Sequence, residues 1–311
     1  MSPALARLNV DVGRSFLECA YLGHETGEKM TKASLIMYGN CQAGVFADSF
    51  KSFTSVASHQ WDMYYVMNFI HPSQPQQRIA DEDLARCTLV IEQLDTANPL
   101  PAWLHERLPR QVKIIRFAPL DFNLYWPFNI TDPRNVSEPP EYPFGRFPYG
   151  DRIVVELLRE GLTGRALWRA YQERSVARLP DPTRLLDLEA QRLIARDAAA
   201  DIRVADLVLS NYREVPLFWT INHPTGWLLG RVLGRLLCAA REPLGLREDP
   251  EPRAIKLFSS WEPFGHQHQP LHPELARRLG LTWCTPERKY RYFDGSDLTF
   301  EEFMLRYINF T

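Results

Sequence analysis

A chain of 311 residues, 45% hydrophobic and 24% charged, has the length and composition of a soluble globular protein that buries a substantial core. A formal net charge of −2, with no long run of one sign, excludes the electrostatic footprint of a nucleic-acid or anionic-membrane binder. No apolar stretch approaches the ~18–20 residues of a membrane span. The start of the chain, Met1 to Val12, lacks the continuous apolar region of a secretory signal, so a cytoplasmic protein is expected. Its five cysteines, Cys19, Cys41, Cys87, Cys238 and Cys284, are widely spaced and include no C-x-x-C pair, which points to free thiols.

After an extension over residues 1–32, four strand-like runs are predicted at Ser34–Gly39, Trp61–Asn68, Thr88–Glu92 and Val112–Phe117. Three of them are near-continuous apolar runs, as in strands buried on both faces of a parallel sheet. Helical patterns at Ala43–Ser58, Asp81–Arg86 and Trp103–Leu108 alternate with them. The alternation predicts a doubly wound, mainly parallel α/β core over residues 33–125. Residues 126–150 are rich in proline and aromatic side chains and read as a long irregular loop, either packed over a pocket or serving as an aromatic-rich linker. Residues 151–311 read as mainly helical and as completing the active site. Helices are expected at Asp151–Glu160, Thr163–Arg174, Thr183–Arg203, Thr225–Ala240 and Pro273–Leu279, with Asp151 and Thr163 as N-caps.

The segment Gly39-Asn40-Cys41-Gln42 carries the chemistry. It sets one sulfur between the carboxyl end of a strand and the first turn of a helix, at the sheet edge where ligands bind. Unpaired N–H groups and the helix dipole there favour thiolate and could hold an oxyanion. A cysteine nucleophile needs a base and oxyanion donors. The backbone N–H of Cys41 or Gln42 and the amides of Asn40, Gln42 and Gln93 are candidates for the donors. Two histidines are candidate bases: His223 in Asn222-His223-Pro224, and His272 in Leu271-His272-Pro273. Each is followed by a proline suited to a first helical turn, where imidazolium is disfavoured and the neutral ring can accept a proton. His266, His268 and His272 lack a nearby carboxylate pattern, and no metal is expected. Nucleotide-binding glycine motifs and H-E-x-x-H are absent.

Taken together, Ile36 to Gln42, Phe218 to Thr225 and His272 to Leu281 resemble the WcbI family of capsular-polysaccharide acetyltransferases. Ile91-Glu92-Gln93, Phe117-Ala118-Pro119 and Tyr149-Gly150-Asp151 fit the same pattern, and the similarity spans roughly residues 33–285. The motif order also echoes SGNH-type hydrolases, so an SGNH/flavodoxin-like core is implied. Departures are visible: cysteine replaces serine, Asn40 replaces aspartate, and Thr220 stands three residues before His223 where an aspartate belongs. A Cys41–His223 dyad is therefore the expectation, with His272 the second choice of base. Gly39, Asn40, Gln42, Gln93 and Asn222 are the expected oxyanion and substrate-binding residues.

The resemblance implies acetyl-CoA as co-substrate and a sugar acceptor, heptose-like, in a capsular polysaccharide or its precursor. Capsule-assembly proteins are implied as partners. Lys51, Arg116 and Arg146 are candidate ligands for the phosphates of coenzyme A. Two other functions fit the same residues: an SGNH-like thioesterase or carbohydrate esterase, and a non-catalytic CoA-binding subunit.

Overall fold

A computed structural model describes residues 32–53, 61–71, 74 and 77–310; the extension before Lys32, including Cys19, lies outside the described residues. Strands β1 (Ala33–Gly39), β2 (Trp61–Met67), β3 (Cys87–Gln93) and β4 (Lys113–Phe117) form a sheet in the order β2-β1-β3-β4. All neighbours are parallel, with Leu35 opposite Met63 on one side and Leu89 on the other. Alternation along the strands splits the apolar residues between two cores. Leu35, Met37, Leu89 and Ile91 face helix α1 (Cys41–Phe53). Ile36, Tyr38 and Val90 face α2 (Asp81–Ala85) and α3 (Ala102–Arg107) through Leu84 and Leu104. The sheet is thus covered on both faces, a doubly wound α/β fold. β1 has neighbours on both sides, so the chain reverses its winding between β1 and β3. A crevice opens at the carboxyl ends of such a pair, and it is where α1 begins.

The proline-rich stretch is less irregular than its composition suggests. A turn of 3-10 helix at Asn123–Tyr125 buries Leu124 and Tyr125. Strands β5 (Asn129–Ile130) and β6 (Gly150–Asp151) pair antiparallel and close the loop between them. Its aromatic rings make core: Tyr125, Trp126 and Phe147 are buried, and Phe147 packs on Tyr292, Phe303, Tyr307 and Phe310. Apolar burial there outweighs the lack of regular hydrogen bonding.

The remainder is largely helical: α4 (Arg152–Arg159), α5 (Gly164–Arg178), α6 (Pro182–Ala198), α7 (Ala205–Asn211), α8 (Gly226–Ala239), α9 (Glu251–Phe258), α10 (Pro273–Leu279) and α11 (Phe300–Ile308). Short strand pairs β7 (Phe218–Thr220) with β8 (His223–Pro224), and β9 (Tyr290–Arg291) with β10 (Asp297–Leu298), lie among them. Asp151 caps α4 by accepting from the Ile153 and Val154 N–H groups, whereas Thr163 makes no side-chain cap. The helix expected over Thr183–Arg203 is α6, which stops at Ala198; α7 begins beyond that range, at Ala205. Asp197 accepts from the Val204 and Ala205 N–H groups and so starts α7 where α6 stops. Helices α7, α9 and α11 lie where the sequence predicts none; α9 packs on α8, and α11 on α5. Gly226, Gly230 and Gly234 present a bare stripe of α8 to α9 and the turn after it; a Cβ on Gly226 would meet the Phe258 carbonyl at 2.5 Å. The helical half is tied to the sheet edge by Asp201 and Ile202, whose N–H groups both donate to the Arg116 carbonyl.

Candidate functional site

The turn after β1 is built by close approach. A Cβ on Gly39, where φ is +155°, would meet the Gln93 side chain at 2.6 Å, so only glycine lets β1 end against β3 there. Asn40 is then held on three sides. Its N–H donates to Gln93 Oε1 (2.8 Å), its carbonyl accepts from Tyr65 OH (2.8 Å), and its Oδ1 caps α1 by accepting from the Gln42 N–H (2.9 Å). Cys41 opens the helix and keeps part of its surface exposed.

Gln42 is 0% exposed and joins three parts of the chain. Its Nε2 donates to the carbonyls of Leu120 and Asn222, both at 2.6 Å, and its Oε1 accepts from Leu120 N–H and Gln93 Nε2. Both amide protons of Gln42 are spent on main-chain carbonyls, and its backbone N–H is taken by Asn40. The Gln42–Asn222 bond brings the residue after Cys41 against the residue before His223.

Beyond Asn222, the β7–β8 turn presents His223. Phe264 stacks on its ring, with centroids 4.5 Å apart and planes 5° from parallel. Tyr149 OH lies 3.3 Å from His223 Nδ1 and donates to Asn222 Oδ1 at 2.8 Å. Thr220 Oγ1 donates to the same Asn222 oxygen at 3.2 Å. Burial, with a contribution from His266 nearby, lowers the His223 pKa to about 3, so the ring is neutral at physiological pH. Tyr149 is raised well beyond a normal phenol by burial and by the proximity of Cys41, which also raises Tyr65. Cys41 and His223 therefore share Tyr149 as a neighbour, although no hydrogen bond joins them among the described residues.

The thiol behaves differently from the reading of its local sequence. The N–H groups of Gln42 and Cys41 do pull its pKa down, but burial outweighs them and pushes it up to about 11. A helix N-terminus is worth about 0.3–1 kcal/mol to a charge, less than the cost of desolvating it. Alkylation of Cys41 by iodoacetamide, followed by peptide mass spectrometry, is expected to accelerate about tenfold per pH unit from pH 7 to pH 10. A plateau below pH 8 would show a thiolate already formed.

His272 serves another purpose. Its Nδ1 accepts from the Glu274 N–H as the N-cap of α10, and its Nε2 faces Ser175 Oγ at 3.0 Å. Both ring nitrogens are engaged. His268 stacks on Trp219, and no group of three or more potential metal-binding side chains converges among the described residues. Each of the three candidate phosphate ligands is held in an ion pair. Lys51 pairs with Asp48 in the last turn of α1, about 15 Å of helix from Cys41. Arg116 pairs with Glu92, and strand alternation puts Glu92 on the sheet face opposite Gln93. Arg146 pairs with Glu138 and lines an open groove of about 480 Å³ with Tyr142, Tyr292 and Arg306. Tyr149, Phe264 and Thr220 were not singled out for roles from sequence. Tyr149 is marked in the sequence by its place in Tyr149-Gly150-Asp151 and Thr220 by its position three residues before His223, whereas Phe264 carries no such signal.

Among the described residues, no helix is long and apolar enough to cross a membrane. The family model described as "Polysaccharide biosynthesis enzyme WcbI" matches residues 34–244. A solved structure of WcbI, described as a novel polysaccharide biosynthesis enzyme and as native protein without a disulfide bond between CoA and one of its cysteines, aligns with a TM-score of 0.64. The alignment covers 89% of this chain and 88% of that one at 18% identity, a likeness of fold. No curated protein matches by sequence.

Proposed function

Because this chain belongs to the WcbI family of polysaccharide biosynthesis enzymes, we propose that it transfers an acetyl group from acetyl-CoA to a sugar hydroxyl of a capsular polysaccharide or its precursor. The observation that carries this reading is the Gln42–Asn222 bond, which locks the Cys41 turn to the His223 turn at the carboxyl edge of a doubly wound sheet. The CoA and cysteine named together for the WcbI structure support a CoA thioester as donor.

In this scheme His223 Nε2 accepts the Cys41 proton as the sulfur attacks the thioester carbonyl. The Cys41 N–H, which has no partner inside the helix, and Asn40 Nδ2, which makes no hydrogen bond among the described residues, stabilise the tetrahedral oxyanion. Collapse expels the CoA thiolate, which takes the proton from His223, and leaves acetyl-Cys41. His223 then removes the proton from the sugar hydroxyl. The sugar oxygen attacks the acetyl carbonyl, and Cys41 leaves and regains its proton. Gln42 and Gln93 hold the frame instead of donating to the oxyanion.

A second reading, direct transfer, draws support from the raised thiol pKa. In it His223 deprotonates the sugar and the sugar attacks acetyl-CoA without an acetyl-enzyme. Intact-mass measurement after incubation with acetyl-CoA decides between them. An adduct of one acetyl group, absent in Cys41→Ala, is expected. Stabilisation by CoA without an adduct favours direct transfer, and neither adduct nor stabilisation overturns both readings.

A further inference from the structure

We infer that Tyr149 is a positioning residue for His223: its oxygen accepts a hydrogen bond from the imidazole Nδ1–H and so fixes the tautomer in which Nε2 carries the lone pair.

The argument is a proton count. Tyr149 has one proton and three neighbours with acceptor lone pairs: Asn222 Oδ1, His223 Nδ1 and the Thr220 hydroxyl. A proton given to Asn222 or to Thr220 leaves the Tyr149 lone pairs facing Nδ1. Asn222 Oδ1 at 2.8 Å is at normal O–H···O length, whereas His223 Nδ1 at 3.3 Å is long for a phenol donor. The proton therefore goes to Asn222, and the lone pairs of Tyr149 face Nδ1. A lone pair facing a lone pair would be repulsive, so Nδ1 carries the ring's proton. Asn222 is oriented for this by Thr220, 0% exposed, whose hydroxyl donates to the same oxygen. Phe264 fixes the plane of the ring from one side.

Tyr149 is itself tightly held. It precedes β6, which pairs with β5, and Asp151 caps α4. The Asp151 N–H donates to Tyr307 OH, which in turn donates to buried Asp132. The carboxylate sought from sequence at position 220 is thus replaced by a Thr220–Asn222–Tyr149 chain. A neutral orienter has a chemical consequence: it fixes the tautomer without adding a negative charge beside the ring, in keeping with an imidazole that stays neutral.

The kinetic consequence rests on the acyl-transfer reading; the tautomer does not. Protein labelled with nitrogen-15 at histidine is studied by long-range proton–nitrogen correlation near neutral pH, with His223→Gln assigning the signals. The expected pattern for His223 is a protonated Nδ1 and an unprotonated Nε2. In Asn222→Ala the tyrosine loses its preferred acceptor and turns its proton to Nδ1, so His223 shifts to the Nε2–H form. In Tyr149→Phe the fixed Nδ1–H form is lost. Asn222→Asp, which keeps an acceptor for Tyr149, retains the wild-type pattern. On acetyl transfer, Tyr149→Phe should lower kcat on the order of 10²-fold with KM for acetyl-CoA changed less than about twofold. A wild-type His223 protonated at Nε2, or a tautomer unmoved by both Tyr149→Phe and Asn222→Ala, overturns the inference. The expected tautomers in a protein that transfers no acetyl group would support it while sinking the acyl-transfer reading.

Discussion

His223→Ala is expected to lower acetyl transfer by about three to four orders of magnitude while leaving CoA binding within a few-fold. With its pKa near 11, the Cys41 thiol is ionised in only about one molecule in a few thousand at pH 7.5. In the proposed acyl-enzyme scheme the missing factor comes from a base that takes the proton as the sulfur attacks. Without His223, the residual rate should climb about tenfold per pH unit, because only the spontaneously formed thiolate reacts. Wild type should show no such climb. The His223 pKa is lowered to about 3, so the proposed base is unprotonated above that value and is lost by protonation only as pH falls through it. An ordinary histidine base would fail near pH 6.5. Activity that fell tenfold between pH 7 and pH 5.5, in protein still folded at the lower pH, would remove His223 from this role. Steady-state rates across pH for both proteins, with CoA affinity by calorimetry, provide the check.

The second large effect is on stability. Gln42→Ala removes the partner of four groups at once: the Leu120 N–H and carbonyl, the Asn222 carbonyl and the Gln93 amide. Each buried polar group left unpaired costs about 1–3 kcal/mol, and water entering the vacated space recovers part of it. A loss of about 3–5 kcal/mol is expected, a large share of a typical 5–15 kcal/mol total. Gln42→Glu should be comparably damaging, since it sets an oxygen against two carbonyl oxygens. Gln42→Met keeps the volume and should still be destabilised. Urea unfolding monitored by fluorescence measures all three. If Gln42 instead served as an oxyanion donor, the variants would keep their stability and lose kcat on the order of 10²–10³-fold.

Some of this was legible along the chain because it is local. Apolar runs long enough for buried strands appear as β1, β3 and β4, and the helix after Gly39-Asn40 starts at Cys41. Proline after His272 and aspartate at position 151 mark helix starts. Helix α9 was not legible: it depends on the glycine stripe of α8, and no short window of sequence records that pairing.

At the site the same division holds. The order of residues determines that Cys41 stands at a strand-to-helix turn and that His223 stands at an element boundary, because hydrophobic periodicity and turn chemistry act over a few residues. Tertiary structure alone decides how the sulfur titrates, for burial of the thiol opposes and outweighs the local dipole. It also decides that Gln42 is a joint and His272 a helix cap, and that Tyr149, 74 positions from His223, lies beside its ring. Desolvation and hydrogen-bond partnership depend on which groups fold against one another across the whole chain, and the spacing of residues along it does not carry that information.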